Sequence, residues 1–137
     1  ACLDEAWQRI RIGIEAEIDN RGAAEGWRAV GPATLREMKV VVPSLWMQAI
    51  TEAGEDAELR NYVRRHMREA HDYFADVLRR VQAAGGIDGD RDPEVEAWIF
   101  VAGILLVSLA DRLGGPLGPD DFEAIKRERL RWLTGEA

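Results

Sequence analysis

Residues 98–110 read WIFVAGILLVSLA, and no side chain in this run of thirteen carries a charge. Ser108 is its only clearly polar residue, although 31% of the chain is charged and the formal net charge is -7. A helix that is apolar on all sides has to be covered on all sides. The run is shorter than the roughly 20 residues that a membrane span needs, and charged residues flank it on both sides. We therefore expect protein to cover it, and we expect no contact with a membrane.

Composition bounds the rest of the chain. A length of 137 residues fits one domain, residues 1–137, and a hydrophobic content of 47% is enough for a core. The single cysteine, Cys2, excludes an internal disulfide framework and a multi-cysteine zinc site, which fits a cytoplasmic location. The acidic balance argues against nucleic-acid binding by this chain alone.

Apolar residues recur at spacings of three and four, which is the helical period, and strand signals are nearly absent. The sequence therefore predicts an all-α fold, a bundle of five to six helices. The predicted helices cover residues 2–20, 24–30, a segment that begins at Thr34 and is kinked or broken near Val42 by Pro43, residues 57–84, 93–113 and a last segment from Pro119.

The helix over residues 93–113 has two apolar faces. One holds Val95, Trp98, Ile99, Ala102, Leu105, Leu106, Leu109 and Leu113, and the other holds Ala97, Phe100, Val101, Ile104, Val107 and Ser108. One face fits the core of the domain, and the second needs another cover. We predict that the second set joins Phe122, Ile125 and Trp132 of the last helix in a homodimer interface, a four-helix bundle across a two-fold axis. A monomeric bundle that wraps this helix with its own neighbours remains the alternative.

The stretch FADVLRRVQAAGGIDGDRDPEVEAWIFVAGILLVSLADRLGG, which begins at Phe74, resembles the C-terminal domain of TetR-family transcriptional regulators. It shows a long helix, a small-residue turn, an acidic loop with an Asp-Pro start, and then an apolar helix. The opening ACLDEAWQRIRIGIEAEI resembles the helix that links the two domains of that family. Residues 21–56 match it only in outline.

The resemblance implies the effector-sensing and dimerisation domain of a transcriptional repressor. In that family the last two long helices form the dimeric bundle, and a small, largely apolar effector binds inside the domain. DNA is bound by a helix-turn-helix domain, which we expect to lie outside this chain. A helical-bundle interaction module without a ligand is the alternative, and a small bundle enzyme or carrier is a third, weaker reading.

Seven side chains are candidates for the effector pocket. Tyr62, His66 and Tyr73 lie within about 40° of each other on one helix, where they form a polar-aromatic edge. Trp27, Met38, Trp46 and Trp98 complete the set because pockets are lined mostly by large apolar side chains with a few polar groups. Core packing explains these four equally well.

No pattern in the sequence indicates catalysis, a cofactor or a metal. His66 and His71 are five residues apart, so on one helix they point in different directions and cannot chelate one ion. No HExxH motif and no Ser-His-Asp signature is present. We therefore expect a binding protein and not an enzyme, with no cofactor and no metal site.

Overall fold

The structure is a computed structural model, and it describes residues 2–29 and 48–136. These residues form five helices: α1 (Cys2–Arg21), α2 (Ala23–Ala29), α3 (Ala57–Ala83), α4 (Pro93–Arg112) and α5 (Pro119–Thr134). Residues 48–53 are also helical, and no strand occurs in the described ranges. The predicted all-α class is confirmed, and so are the predicted bounds of α1 to α4, to within one residue. Of the predicted segment from Thr34, the start and Pro43 lie outside the described residues, whereas its end is the helical stretch 48–53.

Among the helices described, none combines the length and the apolar character that crossing a membrane requires.

The longest helix, α3, has residues at both ends that stabilise a helix terminus. The Asp56 side chain accepts hydrogen bonds from the backbone N–H groups of Glu58 and Leu59, at 3.0 and 3.2 Å. This is a standard N-cap, which satisfies two of the free N–H groups of the first turn. After Ala83 the chain turns at Gly85, whose φ of 83° lies in the left-handed region that favours glycine. The chain then leads into the loop before α4.

The core lies where α1, α3 and α4 meet. Phe74 and Val77 of α3 and Ile14 of α1 have no exposed surface. The Phe74 ring contacts Trp7 of α1 and Phe100 of α4, with ring centroids 5.7 and 4.5 Å apart. One aromatic side chain therefore joins three helices.

In the structure, the face of α4 that we predicted at the dimer interface packs against the core, and the face that we predicted in the core points outward. Ala97 and Val101 are only 0% and 5% exposed, and Phe100 and Ile104 pack against the same core. Ala97 and Val101, which we predicted at a dimer interface, are buried in the core of the single chain, so that assignment is corrected for these two; Phe100 and Ile104 are half-buried against the same core. The two faces are similarly apolar, so their periodicity could not distinguish the inner face from the outer one. Val107 and Ser108 belong to the same predicted set, but their side chains lie outside the described part.

The other face of α4 points outward. We define the outer face as Val95, Trp98, Ile99, Leu106 and Leu113, which are 40–71% exposed. Five large apolar side chains therefore meet solvent on one side of this region.

The last helix is attached to the start of α4 mainly by polar contacts. Glu96 is 8% exposed and forms an ion pair with Arg129, and it accepts a hydrogen bond of 2.8 Å from Nε1 of Trp132. Burial lowers the pKa of Arg129, and the nearby positive charge of Arg91 adds to this effect. Of the predicted interface residues on α5, Phe122 is half-buried, whereas Ile125 and Trp132 are 43% and 49% exposed.

We predict that Gly26→Ala destabilises the fold by about 1–3 kcal/mol. A Cβ at Gly26 would lie 2.7 Å from the carbonyl oxygen of Glu17 and from Cα of Ile18, so the backbones of α1 and α2 would have to separate. Gly13→Ala is the matched control, because a Cβ there meets nothing within 4 Å. It should stabilise α1 by about 0.5–1 kcal/mol. Urea denaturation of both variants checks the opposite signs.

Candidate functional site

The described pocket candidates lie at four places in the structure. Tyr62 and His66 lie together near the start of α1, and Tyr73 lies further along the same groove between α1 and α3. Trp27 packs against Phe100 inside the bundle, with ring centroids 5.1 Å apart, and Trp98 lies on the outer face of α4. Met38 and Trp46 lie outside the described residues. The sequence pattern therefore found residues with specific contacts but did not show how they are grouped.

His66 connects α3 to the beginning of α1. Its side chain is buried, and Nε2 lies 2.7 Å from Oδ1 of Asp4. The Tyr62 ring lies 4.5 Å from the His66 ring, centroid to centroid. Burial raises the pKa of the Tyr62 hydroxyl, and the negative charge of Asp4 raises it further. These contacts hold α1 against α3 at the end where α1 begins.

A second polar cluster, which the sequence analysis missed, lies between α1 and α3. Glu15 accepts hydrogen bonds from Tyr73 Oη at 2.8 Å and from Nη1 and Nη2 of Arg80 at 3.0 and 2.6 Å. Arg11 lies over the Tyr73 ring at 5.0 Å. Helical spacing cannot reveal this cluster, because its members come from helices that are more than 50 residues apart in sequence.

Charge and burial shift the pKa values in this cluster. The hydrogen bonds from Arg80 lower the pKa of Glu15 to about 2, with a further contribution from Tyr73. Burial raises the pKa of Tyr73, and so does its hydrogen bond to Glu15. Glu15 is therefore charged and Tyr73 is neutral at any physiological pH. The pair is suited to fixing the orientation of α1 and not to exchanging protons.

We predict that the cluster makes part of the stability sensitive to acid. The folded pKa of Glu15 is depressed, so its contribution is present above the ordinary value of 4.5 and is lost as the pH falls towards about 2. Glu15→Gln should be less stable than wild type at pH 7, and the difference should shrink over that acid range. Thermal unfolding at a series of pH values measures this. Glu5→Gln, on the exposed side of α1, is the control and should follow wild type.

A third cluster joins α3 to the first turn of α4. The His71 side chain is buried, and its Nδ1 lies 2.9 Å from Oδ1 of Asp72. Its Nε2 lies 2.8 Å from the backbone carbonyl oxygen of Glu94. Glu94 also forms an ion pair with Arg79. The His71 ring stacks on Trp98, with centroids 4.1 Å apart and planes 19° apart.

His71, Asp72 and Glu94 place three possible metal-ligand atoms within 4.8 Å of one another. However, each ring nitrogen of His71 already faces an oxygen at hydrogen-bond distance. The carboxylate of Glu94 is also already paired with the Arg79 guanidinium, which places a positive charge beside the cluster. We therefore interpret the cluster as a hydrogen-bonded connection between two helices.

A scan against models of known families and searches of curated proteins and of solved structures found no match to this chain.

Proposed function

We propose that this chain is the effector-sensing and dimerisation domain of a TetR-like transcriptional regulator. The observation that carries the proposal is the outer face of α4, which exposes large apolar side chains from Val95 to Leu113. Ile125 and Trp132 on α5 add to the exposed apolar surface. Several large apolar side chains exposed on one helix face mark an interaction site in a protein that is otherwise charged.

A second copy of the chain is the proposed cover. Helices with an exposed apolar face pack well against the same face of a symmetry mate, because a two-fold interface is self-complementary. Two helices from each copy would form a four-helix bundle, with the outer face of α4 at its centre. In this arrangement the chain would operate in the cytoplasm as a homodimer.

The sensing part of the proposal depends on the interior of the bundle. Trp27 and Phe100 form an aromatic pair there, and Phe100 also contacts Phe74. An apolar effector bound against this pair would change the relative positions of α1 and α4. A DNA-binding domain joined to α1 would receive that movement as a shift between two conformational populations.

A thermal-shift screen of apolar small molecules tests the sensing role. A true effector at a concentration far above its Kd should raise Tm by about 5 °C or more. Trp27→Ala removes one side of the proposed site and should abolish that increase. Trp98→Ala is the control: it changes the outer face, so the increase caused by the ligand should be retained. If Trp98→Ala abolishes the increase and Trp27→Ala does not, the effector site has been placed wrongly.

An interaction module without a ligand is the second candidate. It is favoured by the contacts of Tyr62, His66 and Tyr73, whose polar groups already have protein partners in Asp4 and Glu15. This candidate predicts the same association through α4. It also predicts that no apolar compound in the screen raises Tm.

A further inference from the structure

His71 is surrounded by hydrogen-bond acceptors. Nδ1 faces the Asp72 carboxylate at 2.9 Å, and Nε2 faces the Glu94 carbonyl oxygen at 2.8 Å. A second oxygen of Glu94, from its carboxylate, lies 3.4 Å from Nε2. Neither a carboxylate nor a carbonyl oxygen can donate a hydrogen bond. Both nitrogens must therefore carry hydrogen for both contacts to be hydrogen bonds.

Only the protonated ring meets that requirement. A neutral imidazole has one N–H group, so one of the two contacts would bring a nitrogen lone pair against an oxygen lone pair. The charged groups facing the ring are Asp72 from α3 and Glu94 from α4, and Arg79 pairs with Glu94 from α3. When the proton is lost, the contact to Asp72 is the one that opens. The Asp72 side chain is 64% exposed and free to turn into solvent, whereas the Glu94 carbonyl is fixed in the first turn of α4.

The ring is also in contact with the outer face. Trp98 stacks on His71 at 4.1 Å and is itself 41% exposed. A cation over the face of an indole ring is held more strongly than a neutral ring is. Protonation of His71 therefore strengthens the stacking contact that holds Trp98 in place.

We propose that His71 is a proton-dependent switch for the outer face of α4. The protonated form fixes Trp98 in the stacked position and so presents a preformed surface to a second copy of the chain. When the ring loses its proton, Asp72 is released and the stack weakens. Association through the outer face weakens with it; this last step rests on the proposed dimer.

The first test needs no dimer. The chain is labelled with fluorotryptophan, the Trp98 signal is assigned with Trp98→Phe, and both Trp98 and the His71 ring are followed by NMR from about pH 5 to about pH 8. We expect the two signals to move together, with one midpoint. His71→Gln should remove the transition at Trp98. A His71 signal that does not move over this range, or a Trp98 signal that does not follow it, would overturn the switch.

His66→Gln is the matched control. His66 is the other buried histidine and also contacts a carboxylate, that of Asp4, but its ring neighbour is Tyr62 and not a tryptophan of α4. The Trp98 transition should persist in this variant. If His71→Gln does not fold, Trp98→Leu takes its place: with the indole removed, the pH at which the His71 signal moves should differ from that of wild type. An unchanged midpoint in Trp98→Leu would overturn the role of the stack.

The second test measures association. The dimer dissociation constant of wild type should rise by at least about five-fold between about pH 5.5 and about pH 8. Acidic groups also make two copies repel each other more as the pH rises, which raises the dissociation constant independently of His71. The His71→Gln variant measures this independent rise. If the dissociation constant of His71→Gln rises as much as that of wild type, the proposed effect of His71 on association is wrong. A chain that is monomeric at both pH values contradicts the proposed dimer, whereas the NMR titration still decides the role of His71.

Discussion

A Phe74→Ala variant should unfold about 3–5 kcal/mol more readily than wild type. Phe74 is 0% exposed, and its ring contacts those of Trp7, Tyr73 and Phe100 at centroid distances of 5.7, 5.7 and 4.5 Å. Truncation at this position leaves a cavity where α1, α3 and α4 meet. Since the cavity is bounded by three helices, none of them can close it without losing contacts elsewhere.

Urea denaturation followed by circular dichroism measures the loss. Phe122→Ala is the matched control, because Phe122 is half-buried on α5 and the same atoms are removed. The loss of stability in Phe122→Ala should be clearly smaller than that in Phe74→Ala. Equal losses in the two variants would show that Phe74 is not the centre of the core, and that α5 carries a larger share of the packing than its contacts indicate.

The Ile99→Asp variant should stay folded and lose the ability to form dimers. Ile99 is 41% exposed on the outer face, so a carboxylate there remains hydrated in the single chain. In the proposed dimer the same carboxylate would be buried without a partner, and the two-fold axis would place a second one in the interface. The dissociation constant should therefore rise by about 100-fold or more.

Ile12→Asp is the control for this variant. Ile12 is 67% exposed on α1, so it receives the same substitution on a different surface. Light scattering after size-exclusion chromatography should show a dimer for Ile12→Asp and a monomer for Ile99→Asp at micromolar concentration. The reverse pattern would move the interface from α4 to α1, and the proposed four-helix bundle would be wrong.

The helices could be predicted because their signals are local. Caps such as Asp56, helix-ending glycines such as Gly85 and the Asp92-Pro93 start act within a few residues of where they stand. The direction in which α4 faces could not be predicted in this way. Its two faces are similarly apolar, and the small Ala97, which is fully buried, shows which of them packs against the core.

The polar clusters were harder to predict than the helices. Glu15 and Arg80 are unremarkable charged residues in the sequence, and they form a pair only when α1 lies along α3. The sequence around His71 shows only its five-residue spacing from His66, which excludes a shared metal ion, whereas its partners in the fold are Asp72, Glu94 and Trp98. Two of these come from α4, more than 20 residues away. Contacts of this kind depend on tertiary structure and leave no periodic signal.

The most direct measurement of the central claim is the solution mass of the wild-type chain by sedimentation equilibrium, over a concentration series in the micromolar range. The mass of one chain is 15.4 kDa. We predict twice this mass at the upper concentrations and a reversible fall towards one chain on dilution. A mass of one chain throughout would contradict the account, because the outer face of α4 would then remain exposed to solvent and would not be covered by a second copy.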